Sequence, residues 1–239
     1  NITDSAQYDD LGTGQFFMRV SFNSETGATL DQLTTDMADV GGEFSMDYAF
    51  HDETSKMKVV VMVSRFGHCL NDLLYRTRIG ALPIEIVAVI SNHMDYQKVV
   101  VNADIPFHCI PVTKQNKAEA EARILQVVED AEADLIVLAR YMQILSDTMC
   151  QKMSGRIINI HHSHYVTADL DEGPIIEQDT VRVTHAQSAS DYVSLGRDVE
   201  AQVLARAVHA HARRRVFLNG DKTVVFPASP GSYSSDRMG

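Results

Sequence analysis

The run Lys58-Val-Val-Val-Met-Val63 constrains this chain more than any other stretch. Five consecutive apolar residues leave no side chain for a wet face, so a strand built from them must be covered on both sides. Such a strand belongs to a mostly parallel sheet with helices on both faces, and the following sequence supplies the parts. Ile84–Ile90, Asp134–Ala139 and Arg156–Ile160 read as further buried strands. Leu70–Tyr75 opens a helix, and Lys114–Ala131 is a charged amphipathic one. Alternating strands and helices define an α/β, Rossmann-like architecture. Ligands in such sheets sit beyond the carboxyl ends of the strands, so site residues should follow strands.

A helix spanning Ser188–Arg215 comes next, opened by the capping box Ser188-Ala-Ser-Asp191. A hairpin turning at Asn219-Gly220 follows it. From Ala228 the chain is rich in Ser, Gly and Pro and reads as a loose tail.

Residues 1–52 have another pattern: strand, strand, helix, strand. Gln15–Phe22 alternates around β-formers, Thr29–Val40 has Leu30, Leu33, Met37 and Val40 on one helical face, and Phe44–Phe50 alternates again. The polar segment His51–Lys56 is the linker. Two domains are expected, 1–52 and 57–239.

Hydrophobic residues at 45% and charged residues at 22% permit a packed core. The net charge of -11 argues against nucleic-acid binding. The densest basic run, Arg213-Arg-Arg215, closes a helix, where cations favour the dipole. Three scattered cysteines without CxxC spacing give neither a disulfide framework nor a zinc knuckle, and fit a reducing compartment. No apolar stretch approaches the ~20 residues of a membrane span, and no secretory signal pattern is visible. The expectation is a cytoplasmic protein.

One junction breaks ordinary chain logic. Ile157–Ile160 reads as a strand and His164–Thr167 as another, with only His161-His-Ser163 between them. A parallel connection needs a dozen residues or more, and no Gly or Asn is present for a tight hairpin. The expectation is therefore that a segment is absent between Ser163 and His164. The closeness of His161, His162 and His164 would then be a product of that gap, so no metal is expected despite the ligand types.

Two segments carry chemistry. In Asn159-Ile-His-His-Ser163, Asn159 and His161 point to the same face of a strand, and both can donate to an oxyanion. In Asp169-Leu-Asp-Glu-Gly-Pro174, Asp171 sits in an acidic turn. A carboxylate near an imidazole orients it and moves protons. On pattern alone, the first also reads as a hydrogen-bonded structural pair and the second as an ordinary glycine-terminated turn.

Asn159-x-His161-x-Ser163, followed by His164-x-Val-Thr-x-x-Leu-Asp171-x-Gly-Pro174, resembles the signature of the folate-dependent formyltransferase family. Leu138-Ala-Arg-Tyr-Met-Gln-Ile-Leu-Ser146 is similar to that family's folate-pocket segment. With Ser64-Arg-Phe-Gly-His-Cys-Leu-Asn-Asp-Leu-Leu74, the resemblance narrows to the formyltetrahydrofolate deformylases and covers residues 57–226. Residues 1–50 resemble part of a small α+β, ferredoxin-like ACT domain, with its first strand and helix lacking. Members carry roughly two dozen residues between the positions of Ser163 and His164, in keeping with a crossover connection.

The resemblance implies that water attacks the N10-formyl carbon of 10-formyltetrahydrofolate, releasing formate and tetrahydrofolate. His161 and Asn159 would stabilise the oxyanion, and Asp171 would position the water and shuttle a proton. The pterin would lie near Met142, Gln143, Ile144 and Leu145, with Thr167, Arg65 and His68 completing the substrate-binding set. No cofactor is implied, since the folate is the substrate. An amino-acid effector at the ACT domain and a homo-oligomer are also implied.

The alternatives are formyl transfer to an amine such as glycinamide ribonucleotide, or a non-catalytic folate or amino-acid sensor. Glycinamide ribonucleotide formyltransferases hold a phosphate with a small loop after the first strand. Here that loop, Ser64–Cys69, is bulky at Phe66, His68 and Cys69. A dinucleotide oxidoreductase is disfavoured, because no GxGxxG follows the first strand.

Overall fold

The computed structural model describes residues 1–25, 27–160 and 163–228. It divides into two units, Asn1–Ser55 and Lys56–Gly239.

In the first unit, β1 (Ile2–Asp10) and β2 (Gln15–Phe22) pair antiparallel. The Asp10 carboxylate accepts from the Gly12 N–H at 3.0 Å and the Thr13 hydroxyl at 2.8 Å, which closes the turn between them. Helix α1 (Leu30–Glu43) starts at a capping box between Thr29 and Gln32. The strand expected over Phe44–Phe50 does not form. The helix runs on to Glu43, Ser45 takes φ 50°, and residues 46–50 join no ladder. Their aromatic alternation serves packing instead of pleating. Tyr48 lies so close to Gly41 that a Cβ there would meet its ring at 2.3 Å. Phe50 meets Phe22 and Tyr48 edge-on, with centroids 6.2 and 6.0 Å apart.

The second unit runs β3 (Met57–Val63), α2 (His68–Arg78), β4 (Ile84–Ser91), α3 (Gln97–Val101), β5 (Phe107–Cys109), α4 (Lys117–Asp130), β6 (Leu135–Leu138), α5 (Asp147–Lys152), β7 (Ile157–Asn159), β8 (His164–Tyr165), α6 (Ala189–Ala212), β9 (Val216–Asn219) and β10 (Lys222–Val225). Its main sheet has the order β5-β4-β3-β6-β7-β8, parallel except for β8. The apolar run is the sheet's centre, and all five residues Val59–Val63 are buried. Val59, Val61 and Val63 pack with Leu70 and Leu73 of α2 and Leu204 and Val208 of α6. Val60 and Met62 pack with Ile124 and Val128 of α4 and Met149 of α5. Each such side chain contributes about 1.5–3 kcal/mol by leaving water. Because β3 is flanked by β4 on one side and β6 on the other, the chain reverses its direction of winding there. The crevice at their carboxyl ends is the topological switch point.

The junction after β7 closes in a way the sequence reading did not allow. β7 and β8 form an antiparallel hairpin with Asn159 opposite His164 and Ile158 opposite Tyr165. Its loop is residues 160–163, of which His161 and His162 lie outside the described residues. The segment after it folds back along β8. Tyr165 N–H donates to the Pro174 carbonyl at 3.0 Å, and Ile176 N–H donates to Ser163 at 2.8 Å.

Candidate active site

Three adjacent strands end in one row. Met62 of β3 is opposite Leu138 of β6, and Leu138 is opposite Asn159 of β7. Neighbouring strands lie ~4.8 Å apart, so whatever follows these three ends shares one crevice.

After β7 come the groups expected to carry chemistry. Asn159 Nδ2 donates to Asp171 Oδ1 at 3.4 Å, so residues twelve apart in sequence meet. The fold-back along β8 makes the contact. Gly173 permits it, since a Cβ there would stand 1.7 Å from the Tyr165 carbonyl oxygen, closer than any side chain tolerates. Asp171 itself takes φ 57°, a left-handed conformation that Asp accepts more readily than most residues. Thr167 starts the same turn by donating its hydroxyl to the Asp169 carbonyl at 3.1 Å. The structure adds a neighbour that the sequence reading set aside: buried His164, whose Nε2 is 3.8 Å from Asp171 Oδ1. His161, expected on the face of Asn159, lies outside the described residues.

The loop after β3 and the segment after β6 are tied together. Ser64 N–H donates to the Arg140 carbonyl at 3.2 Å, and Met142 N–H donates to Ser64 Oγ at 2.9 Å. Met142 and Ile144 are exposed at the crevice, Gln143 is half-buried, and Leu145 is buried in the core beside Met149. The far end of this segment is fixed by Glu121 of α4. That buried carboxylate accepts from the Ser146 N–H at 2.8 Å and from its hydroxyl. Burial and then the Glu121 charge push the Tyr141 hydroxyl up to about 12. Arg65 is exposed, and its carbonyl accepts from the Tyr96 hydroxyl at 3.0 Å. Gly67 lets the Tyr96 ring sit there, since a Cβ would come within 2.2 Å of it.

His68, at the start of α2, does not cap the helix. Its Nε2 meets Glu200 Oε2 of α6 at 2.7 Å, and Arg140 Nη1 donates to Glu200 Oε1 at 3.3 Å. The ligand atoms of His68, Cys69 and Glu200 all lie within 4.8 Å of one another, a spacing that a metal ion can use. The Cys69 thiol is a poor thiolate donor, however. Burial first, and then the Glu200 carboxylate, push it up to about 12. The Glu200 carboxylate is already shared between an imidazole and a guanidinium. Glu200 and Glu121 had no sequence signal beyond ordinary charge patterning and position, while Arg140 and His164 lay inside recognised motifs without a role assigned to them.

A cleft of about 380 Å³ lies elsewhere, between β5 and α4, lined by Phe107, Cys109 and Arg123 among others. It is at the sheet edge, two strands from β3, and reaches none of these groups. Among the described residues no helix is long and apolar enough to cross a membrane.

Comparison with known proteins bears on the same region. A family model described as formyl transferase matches residues 57–163. The formyltetrahydrofolate deformylase of Corynebacterium sp. (strain P-1) is 42% identical, with 94% of this chain and 88% of that protein covered. That alignment runs over 251 residues, more than the 239 of this chain, so the relative has residues within the span that are lacking here. The formyltetrahydrofolate deformylase of Burkholderia mallei superposes with a TM-score of 0.92 at 39% identity, over 95% of this chain and 90% of that one. The phosphoribosylglycinamide formyltransferase of Coxiella burnetii superposes with a TM-score of 0.66 at 27% identity, over 72% and 94%.

Proposed function

Since this chain belongs to the formyltetrahydrofolate deformylase family, we propose that it hydrolyses 10-formyltetrahydrofolate with Asn159, His161 and Asp171 as its catalytic set. The products are formate and tetrahydrofolate. The observation that carries the residue assignment is the Asn159–Asp171 contact at the carboxyl end of β7, where an α/β sheet presents its chemistry.

The Asp171 carboxylate orients the attacking water and takes its proton as oxygen bonds to the formyl carbon. The amide N–H of Asn159 and the imidazole of His161 donate to the oxyanion of the tetrahedral intermediate. The C–N10 bond then breaks, the proton passes to N10, and formate leaves. His164, beside the same carboxylate, helps to hold it in place. The pterin lies against Met142, Gln143 and Ile144, whose backbone is held by Ser64 and Glu121, with Leu145 backing the segment from the core. Arg65, His68 and Thr167 complete the pocket. No cofactor takes part.

Formyl transfer to an amine is the alternative; the likeness to the Coxiella burnetii enzyme is weaker than that to the deformylases, so it is not favoured. Release of one formate per tetrahydrofolate with no amine present tests the primary reading. Turnover that requires an amine rejects it in favour of transfer. Binding without turnover rejects both in favour of a folate sensor.

The first unit, with a two-stranded sheet and one helix, is read as part of an ACT-type regulatory domain, supported by the order of its elements. Glycine or methionine is its proposed effector, and an unchanged rate on titrating each rejects that. The exposed strands favour pairing in a homo-oligomer. Three free thiols fit the cytoplasm, where the released formate would serve purine synthesis and balance one-carbon pools.

A further inference from the structure

The backbone at Arg140 is strained. It takes φ 65°, a left-handed conformation in which glycine is cheapest. Strained residues persist where the side chain has a use, and the neighbouring residues show what the strain does here. Leu138 packs on the α4 face of the sheet and Ala139 on the α6 face. Alternation would send Arg140 back to the α4 face, yet that place is taken by Tyr141. The left-handed turn directs the guanidinium toward α6, where Nη1 meets Glu200 Oε1 at 3.3 Å. Glu200 lies one turn before Leu204, which is packed on that face.

The other carboxylate oxygen of Glu200 holds His68 at 2.7 Å, at the first residue of α2. Phe66 fills the remaining side, with the guanidinium of Arg140 5.9 Å and that of Arg197 5.7 Å from its ring centre. Hence the α6 side of the switch-point crevice is closed by groups from β3's loop, β6's end and α6, bonded to one another. The start of α2, where N–H groups and the helix dipole favour an anion, faces a carboxylate of the protein itself.

We propose that Arg140, His68 and Glu200 form a built-in plug that excludes a phosphate-bearing amine from the crevice and leaves water as the formyl acceptor. The proposal rests on the hydrolase reading above. It makes these three residues determinants of acceptor choice, acting by occupancy and charge and not by touching the formyl group. Opening the plug lets an amine take the formyl group: a C–N bond to the amine forms, the C–N10 bond breaks, and the amine proton passes to N10.

The test is the triple variant R140G/H68S/E200Q, in which glycine suits φ 65° and the carboxylate charge is removed. Inorganic phosphate titrated calorimetrically into the tetrahydrofolate-bound protein should bind the variant at least about tenfold more tightly than the wild type, a difference of ~1.4 kcal/mol. With phosphoribosylglycinamide present, formate released per tetrahydrofolate should stay at one for the wild type and fall below one for the variant. The single variant R140G should shift both readings in the same direction. Phosphate affinity equal to the wild type overturns the proposal whether or not the variant turns over, and a ratio of one in a variant that turns over also overturns it. Neither result touches the hydrolase reading, which stands or falls on formate release by the wild type without an amine.

Discussion

The side-chain amide of Asn159 reaches the carboxylate of Asp171 at 3.4 Å, joining the end of β7 to the turn that folds back along β8. If this pair carries the chemistry, N159A should lower kcat by ~10²–10³, the usual loss of one oxyanion donor. D171N should lower it by ~10²–10⁴, as expected for a lost general base. Folate affinity should be kept in both. Single-turnover formate release with a parallel binding titration checks this, and near-normal turnover by either variant removes that residue from the mechanism.

Gly173 holds the fold-back close. In G173A the new Cβ would press on a backbone carbonyl, that of Tyr165, which cannot rotate away. The expected cost is roughly 1–3 kcal/mol of stability, together with a kcat loss as Asp171 moves. Urea unfolding and steady-state rates measured on one preparation test both. Unchanged kcat would mean that the turn does not place the carboxylate.

His211 Nδ1 meets the Tyr165 hydroxyl at 2.6 Å. Burial first, and then the Arg214 charge, push this imidazole down from 6.5 to about 4. The unfolded chain therefore binds a proton below pH 6.5 that the folded chain refuses until about pH 4. Stability from this group is full above pH 6.5 and falls as pH drops to 4, by on the order of 3 kcal/mol. Chemical denaturation at pH 7.5 and pH 4.5 should show a smaller acid loss in H211Q than in the wild type. Equal losses would count against it.

Glu121 fixes the lower end of the pterin segment. E121A removes two bonds from Ser146 to a charged acceptor, each worth about 1.5–3 kcal/mol at most. Because the segment after β6 then loosens, KM for the folate should rise several-fold while kcat changes less. A kcat loss with unchanged KM would contradict that role.

The sheet was legible in the sequence because burial on two faces leaves an unmistakable mark: no polar residue from Val59 to Val63. The box at Ser188 and Asp191 announced α6, and it forms. Phe44–Phe50 misled because alternation reports which side chains are dry and not whether a backbone partner exists. The antiparallel pairing of β7 with β8 was not legible, because strand pattern alone does not tell a hairpin partner from a parallel one. Asn159 and Asp171 were readable as a pair only through a motif. Glu200 was not, since a carboxylate on a helix looks the same whether it faces water or an imidazole and a guanidinium 132 and 60 residues away in the chain.

The main sheet ends on β5, three residues long, and on β8, two residues long and flanked by the fold-back. Strands so short give another chain almost no template on which to extend a ladder. The nine and eight residues of β1 and β2 present the longest unpaired edges among the described strands. The catalytic unit is thus guarded against edge-to-edge aggregation by its own geometry, while the front unit carries that hazard.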